Sequence, residues 1–346
     1  MAAEPSTKTK AWAIFDRIVA DAAPSGVHTN PWVKDESRQP FYEPDYTILT
    51  RLLGVPLYLK APTTTGVPAL ALDVWISYEL RRSGFDEDAV WPRPTAPRIL
   101  PGPIVSLLEK VTGKEREALW RRLRAKTPPT GAAASSASIL GKNYLKQVDV
   151  VMSNWIAGPE LLVSTKRMDS SFGKNAANRV EESYGDAKNL RLRHPFAALG
   201  FVYGLRSTIF QESPDKAEWL TDLLQKLGRE DDAYHAVALI VIEYGAHLAV
   251  DDGDDDLGDG EDSLAQAGIA DLAADSDVGA ELDETVEASE VEQALANLPN
   301  VVIRTELVPE DLQPGLFIAE MVRRVIDATP VNFHREARSR RSLDRE

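Results

Sequence analysis

Two short apolar segments, each carrying one charged side chain, constrain the fold of this chain more than any other feature. Residues 147–152 (QVDVVM) and 161–166 (LLVSTK) are rich in β-branched and large apolar residues, and Gly158-Pro159 between them marks a turn. The pair therefore predicts a hairpin of two buried strands. Asp149 and Lys166 lie within it, and a charge inside a buried strand is costly, which favours a functional site.

Composition excludes several classes of site. The chain has no cysteine, which rules out disulfides, thiolate nucleophiles and cysteine-based zinc sites, and its five histidines have no metal-like spacing. Any metal is therefore expected to take oxygen ligands, which favours Mg²⁺, Mn²⁺ or Ca²⁺. No apolar run reaches the ~18 residues needed to cross a bilayer, and the N-terminus lacks the apolar core of a signal peptide. We expect a cytoplasmic protein without a membrane partner.

The charge of the chain is unevenly distributed. The net charge is −15, but residues 251–296 hold 17 Asp and Glu and no Lys or Arg, so the remainder carries 39 basic against 37 acidic residues. Between Arg98 and Arg206 there are 18 basic and 9 acidic residues, around the two strands just described. A basic middle segment is typical of a protein that binds a phosphate backbone, and a solvated basic surface is the alternative.

The front of the chain predicts helices. Residues 1–126 form a mainly helical N-terminal region, with amphipathic or apolar helices over 11–23 and 69–82. Residues 127–138 (TPPTGAAASSAS) predict a linker of small residues. The core of the protein is expected to begin after this linker.

An acidic insertion interrupts that core. Apolar strands are predicted at 236–243 and 300–305, on either side of residues 251–296, whose high charge and few aromatic residues predict disorder. The core therefore comprises 139–250 and 297–335. We predict an α/β fold, a small mixed β-sheet flanked by helices. The insertion is either a plain appendage or a mimic of nucleic acid that occupies the basic surface.

The hairpin brings a carboxylate and an amine together. Alternate residues of a strand share a face, so Ser164 and Lys166 project to one side with Glu160, and pairing of the strands brings Asp149 beside them. An Asp can hold Mg²⁺ and a neighbouring Lys can orient or deprotonate a water that attacks a phosphate. The alternatives are a structural Asp149–Lys166 ion pair and a serine that only fills space.

This pattern resembles the PD-(D/E)XK nuclease superfamily, in which an Asp on one strand precedes an acidic-X-Lys triplet on the next. Asp149 matches the first acid and Ser164-Thr165-Lys166 occupies the triplet, with serine in place of the acid. The resemblance implies a restriction-endonuclease-like core. In some type II restriction endonucleases with this variation, the helix after the second strand supplies the missing acid.

Two glutamates on the following helix are candidates for that acid. Residues 177, 180, 184 and 187 define an apolar stripe, and Glu181 lies on its flank while Glu182 points nearly opposite, which favours Glu181 and keeps Glu182 in reserve. Glu79 on the earlier apolar helix is a further acid that the resemblance suggests. Asp149 and Glu181 are the expected metal ligands.

Several polar residues nearby suit contacts to nucleic acid. Asn and Arg side chains can bind base edges or phosphates. A helix cap is the stronger alternative for Asn175, and a solvated loop is the alternative for Arg191 and Arg193. The candidates are Lys174, Asn175, Asn178, Arg179, Arg191 and Arg193.

The resemblance implies a Mg²⁺-dependent endodeoxyribonuclease, with Mn²⁺ as a substitute metal, most like a type II restriction enzyme acting on double-stranded DNA. A homodimer is expected if both strands of a palindrome are cut. The alternatives are a repair or defence nuclease without sequence specificity, and a catalytically inactive relative that binds nucleic acid or protein.

Overall fold

The computed structural model describes residues 4–34, 40–125, 128–129, 131–170, 172, 176–248 and 286–343, and for residues 176–179 it describes the backbone only. Its helices are α1 (Thr7–Ala22), α2 (Tyr46–Tyr58), α3 (Val67–Arg82), α4 (Gly102–Lys110), α5 (Gly113–Leu123), α6 (Ala176–Arg191), α7 (Ile209–Glu212), α8 (Pro214–Leu227), α9 (Ala288–Ala296), α10 (Pro314–Ala328) and α11 (Arg335–Ser342). Its strands are β1 (Trp32–Val33), β2 (Phe41–Tyr42), β3 (Val90–Trp91), β4 (Ala137–Leu140), β5 (Leu145–Val148), β6 (Val150–Asn154), β7 (Gly158–Met168), β8 (Ala198–Arg206), β9 (Ala236–Glu243) and β10 (Val302–Ile303).

A mixed six-stranded sheet forms the centre, in the order β10-β9-β8-β7-β6-β3. Strands β6 and β7 form the predicted antiparallel hairpin, whereas β7, β8 and β9 run parallel, with α6 and α8 as the connecting helices. The prediction of a mixed sheet flanked by helices is confirmed. The predicted strand 147–152 is divided at Asp149, which lies between β5 and β6.

Helices cover both faces of the sheet. All nine residues of β8 are buried, which explains its nearly continuous apolar sequence. One core cluster joins the sheet to α1, α2, α3 and α10, and a second joins it to α6 and α8. A Cβ at Gly200 would lie 2.6 Å from the Phe317 ring of α10, so a glycine is required for this close approach.

The front region and the supposed linker are both built into this core. Strand β3 pairs with β6 as the edge of the central sheet, although it comes from the N-terminal region. Ala134 pairs with Ile99, and Ala133 is buried with Leu100 and Leu108. The described part of 127–138 is therefore packed against the preceding residues, contrary to the prediction of a linker, because its small residues fit against apolar ones.

The end of the acidic segment is ordered. Helix α9 lies within the predicted disordered range 251–296, and its buried Val291 and Ala294 pack toward α1, where Arg17 pairs with Glu292 at 2.5 Å. Charge density alone therefore misjudged residues 288–296, which carry an apolar face. Residues 249–285 lie outside the described part of the chain. None of the described helices is long and apolar enough to cross a membrane.

Stability is expected to fall with acidification because of His235. Its Nδ1 accepts a hydrogen bond from the Leu199 amide at 2.9 Å, and burial, aided by Arg324, lowers its pKa from 6.5 to about 4. The unfolded state therefore binds more protons between these two values, and the free energy of unfolding decreases as pH falls through that window.

We expect a loss of about 2 kcal/mol from this group between neutral pH and pH ~4.5. Urea unfolding at the two pH values measures it. His235→Asn, whose side-chain oxygen can accept the same hydrogen bond, should reduce the pH dependence by that amount. An unchanged dependence in this variant would show that other groups cause the loss.

Candidate active site

The carboxylate of Asp149 lies against the backbone of the predicted triplet. Its Oδ2 accepts a hydrogen bond from the Thr165 amide at 2.7 Å, and the side chain is half-buried. Val150 pairs with Val163 in the hairpin, so Asp149 stands next to Ser164 in the register. The structure thus places Asp149 against the backbone of the triplet Ser164-Thr165-Lys166.

Ser164 and Lys166 face the layer that contains α6. On β7, Leu162 and Met168 belong to the core cluster on the α6 side, while Leu161 and Val163 belong to the other, and side chains alternate along the strand. Thr165 accordingly faces the N-terminal helices, where its hydroxyl donates to Asp73 of α3 at 2.5 Å. Glu160 does not follow this alternation, because it is the extra residue of a bulge opposite Met152 and Ser153.

A buried tyrosine lies behind the site. Burial raises the pKa of Tyr234 far above its usual value, Asp186 and Asp149 add to the rise, and the hydroxyls of Ser164 and Ser183 oppose it. These groups therefore surround the phenol. None of the described residues makes a hydrogen bond of ordinary geometry with its oxygen, although both serines are close.

The rotation of α6 is fixed by the turn between β4 and β5. Asn189 accepts from the Asn143 amide at 2.8 Å and donates to the Tyr144 carbonyl at 3.1 Å. Asp186 pairs with Lys146 at 2.8 Å and accepts from the Tyr144 hydroxyl at 3.0 Å. The flank of α6 that carries Asp186 therefore faces the strands that lead to Asp149.

Glu182 shares that flank, and Glu181 does not. At about 100° per residue, Glu182 is about 40° from Asp186 around the helix axis, whereas Glu181 is about 140° away. Glu181 instead lines a groove toward α8, with Tyr184, Trp219 and Lys226. Both glutamates are exposed.

The phase prediction that preferred Glu181 does not match this placement. It took the apolar stripe as the face of α6 toward the sheet, but the buried face also includes Ser183 and Leu190, and the polar Asn189 is buried by the β4–β5 turn. These polar contacts rotate the helix so that the flank with Glu182 and Asp186 faces β5 and the β4–β5 turn. Hydrophobicity alone could not indicate them.

Glu79 lies in a different environment. It is fully buried, its Oε2 accepts from the Tyr42 hydroxyl at 2.8 Å and from Arg82 at 3.1 Å, and its Oε1 accepts from the Asp45 amide at 2.6 Å. It therefore links α3 to the start of α2. The acid of α3 that reaches the triplet is Asp73, which the sequence pattern did not single out.

The predicted DNA contacts lie on α6 and on the segments before and after it. Lys174 and Asn175 lie outside the described residues, as do the side chains of Asn178 and Arg179. Arg191 donates to the Ala233 carbonyl at 3.0 Å and so ties α6 to the start of β9. Arg193 is exposed in the loop before β8.

The donor set decides which metal could fit. No group of three or more His, Asp or Glu that could hold a metal ion occurs among the described residues. Mg²⁺, however, is commonly held by one or two carboxylates, keeps several waters and takes the remaining oxygens from phosphates. Asp149 with one acid from α6 would fit such a site, but not a cage made only of protein ligands.

Sequence reasoning missed Asp186, Lys146 and Tyr234. Asp186 and Lys146 are 40 residues apart and meet only because the β4–β5 turn packs on α6, so no local pattern reveals them.

Comparison of the chain with protein-family models, with curated proteins and with solved structures gives no match. Its function is therefore inferred from the geometry of its own residues.

Proposed function

We propose that the protein is a Mg²⁺-dependent endodeoxyribonuclease that hydrolyses phosphodiester bonds of double-stranded DNA, most like a type II restriction enzyme. One observation carries the proposal: the Asp149 carboxylate accepts from the Thr165 amide and so lies beside Ser164 and Lys166. A carboxylate that contacts a triplet ending in a lysine suits phosphate hydrolysis, since the carboxylate can hold a metal and the lysine can orient or activate water.

The order of elements supports the same interpretation. Strand β7 with the triplet is followed by α6 and then by β8, which is parallel to β7. A helix therefore stands over the strand, in the position from which the resemblance takes its second acid. Glu182 is the better candidate for that acid because it shares the Asp186 flank, and Asp186 itself is already bound to Lys146 and Tyr144.

In this proposal Asp149 and Glu182 would hold Mg²⁺, or Mn²⁺ in its place. The ion would supply a Lewis acid that stabilises negative charge on the phosphate. Lys166 orients or deprotonates the attacking water, and Ser164 lies beside the metal ligands. A homodimer would present two such sites to the two strands of a palindrome.

Incubation of the purified protein with plasmid and phage DNA tests the proposal. Cleavage is expected with Mg²⁺ and not with EDTA, and discrete fragments are expected for a restriction-like enzyme. A continuous smear would favour a repair or defence nuclease without fixed specificity. Failure to cleave with Mg²⁺ or Mn²⁺ would refute nuclease activity on these substrates.

The two glutamates of α6 provide a matched pair of variants. We expect Glu182→Gln to lower the cleavage rate about 100-fold, because one metal ligand is lost, and Glu181→Gln to change it less than about threefold. Initial rates at saturating Mg²⁺ measure both. The reverse ranking would mean that α6 presents its other flank to the metal.

The inactive-relative alternative depends on Ser164, which replaces an acid of the common triplet. It predicts DNA binding without cleavage. A gel-shift assay in the presence of Ca²⁺, run beside the cleavage assay, separates the two functions, since binding can then be scored where cleavage is absent.

A further inference from the structure

A large acidic cleft lies away from the candidate active site, at the tip of the β6–β7 hairpin. Its volume is about 900 Å³, and its walls come from the loop after α3, the start of α4, the hairpin tip and the start of α11. Asp149 and Lys166 lie toward the other end of the same strands, and neither lines the cleft. The cleft therefore needs an explanation of its own.

Glu160 is the acid in this cleft whose carboxylate is most deeply buried. Its exposed fraction is 5 %, its Oε1 meets His334 Nε2 at 3.0 Å, and its Oε2 has no hydrogen-bond partner among the described residues. A buried carboxylate oxygen without a partner is unfavourable, because it has lost its hydration without gaining a hydrogen bond in return, unless a ligand satisfies it. A ligand with an N–H donor would do so.

The charges around Glu160 favour a positive ligand. Six acids and three arginines line the cleft. Of the acids, Asp88 is paired with Arg93 and Glu336 with Arg340, while Glu87 and Glu109 have no ion pair among the described residues.

The basic groups there are mostly occupied. Arg81 donates to the Pro92 carbonyl at 3.0 Å, and Arg340 donates to the Arg82 carbonyl at 2.7 Å as well as to Glu336. Burial lowers the pKa of His28 to about 4, helped by Arg81 and Arg340, so this histidine is neutral at pH 7 and adds no positive charge. Six carboxylates therefore face three guanidinium groups, and the potential of the cleft is expected to be negative.

Apolar side chains provide room for an organic body. Trp155 and Ile156 at the hairpin tip are 83 % and 79 % exposed, and Phe85 and Phe333 also line the cleft. A volume of this size suits a small molecule or a long side chain. An aromatic face near a cation adds attraction through the ring quadrupole.

The wall that carries His334 is preformed. His334 has a φ of 50°, a strained conformation for this residue. Its ring packs edge-on against the Phe85 ring, with the two ring centroids 5.2 Å apart. Gly84 has a φ of +96°, and a Cβ there would lie 2.8 Å from the Ala337 nitrogen. The loop after α3 and the start of α11 are thus locked together, and His334 is held against Glu160.

We propose that this cleft binds an alkyl ammonium group, with Glu160 accepting its hydrogen bonds and Trp155 covering its hydrocarbon chain. Two sources share this chemistry, namely a free polyamine and a lysine side chain of another polypeptide. The site is independent of the proposed nuclease activity.

Isothermal titration of the whole chain tests the proposal with matched probes. Butylamine, putrescine and spermidine represent free amines, the blocked peptide acetyl-Gly-Lys-Gly-amide represents a polypeptide, and butanol is the uncharged match of butylamine. Saturable binding is expected for the amines, with butanol at least about tenfold weaker. Tighter binding of spermidine or of the peptide identifies the source.

Two variants of the cleft and one control variant separate the site from non-specific attraction. Glu160→Gln should weaken amine binding at least about tenfold, whereas Glu218→Gln, on the exposed surface of α8, should leave it unchanged. Trp155→Ala, which removes a side chain that is 83 % exposed and cannot disturb the core, should weaken binding about threefold.

The proposal fails if no amine binds, if butanol binds as well as butylamine, or if Glu160→Gln binds like the parent chain. Far-ultraviolet circular dichroism checks that this variant is folded. If it is not, the Trp155→Ala result and the ratio of butylamine to butanol affinity decide, and an unchanged affinity or a ratio near one overturns the proposal.

Discussion

Asp149→Asn is expected to reduce DNA cleavage at least about 1,000-fold while the chain stays folded. Asparagine keeps an oxygen that can accept from the Thr165 amide, at 2.7 Å in the parent chain, so the hairpin contact survives. What is lost is the negative charge, and with it the ligand for a divalent ion. The substitution therefore separates a chemical role of Asp149 from a structural one.

The measurement is the initial rate of plasmid cleavage in Mg²⁺, with Asp222→Asn as the matched control. Asp222 is exposed on α8 and pairs only with Lys226 among the described residues, so its loss should leave the rate unchanged. Unfolding by urea should give the same midpoint for the parent and Asp149→Asn within experimental scatter. Cleavage that survives in the variant would remove Asp149 from the site.

A structural ion pair is the competing explanation of Asp149 and Lys166. It predicts a loss of stability in Asp149→Asn, because one partner of a half-buried pair disappears. The nuclease proposal predicts a loss of rate instead. Measuring both quantities on one preparation therefore distinguishes the two explanations.

Strands β7 and β9 were predictable because the signals for them are local. Apolar runs bounded by turn residues indicated β7 and β9, and the Gly158-Pro159 pair indicated the hairpin, since both signals come from neighbours in sequence. The same logic placed Asp149 opposite Ser164. Only the register of one hairpin was needed.

Features that depend on distant contacts were not predictable. The flank of α6 that faces the β4–β5 turn is set by Asn189 and Asp186, which bind residues about 45 positions earlier in the chain. The predicted metal ligand Glu181 was chosen from the apolar stripe, which does not record such polar contacts. The order of α9 was missed for a related reason, because its apolar residues are stabilised by α1 at the other end of the chain.

Glu79 shows that a buried acid can have a structural explanation. An acid inside an apolar helix suggests a site, because burial without a partner is costly. Here the partners are Tyr42, Arg82 and the Asp45 amide, two of them supplied by a segment about 35 residues earlier. Burial raises the pKa of Glu79, and Arg82 opposes that rise. The acid therefore stabilises the junction of α2 and α3.

Glu79→Ala is accordingly expected to destabilise the fold by about 3–5 kcal/mol. The variant leaves the Arg82 guanidinium, whose side chain is 10 % exposed, without its carboxylate, and it leaves the Asp45 amide without an acceptor. Glu79→Gln keeps an acceptor oxygen and avoids burial of a charge, so its cost should be smaller, about 1–2 kcal/mol.

Urea unfolding measures both losses, provided that the slope of the unfolding free energy against urea concentration is the same in all variants. Glu218→Ala, on the exposed surface of α8, is the control, and its free energy of unfolding should change by less than about 0.5 kcal/mol. Residual cleavage at a temperature where each variant remains folded tests the catalytic alternative. Because Glu79 lies away from Asp149, the rate per folded molecule should equal that of the parent. A stable variant with a reduced rate would instead return Glu79 to the active site.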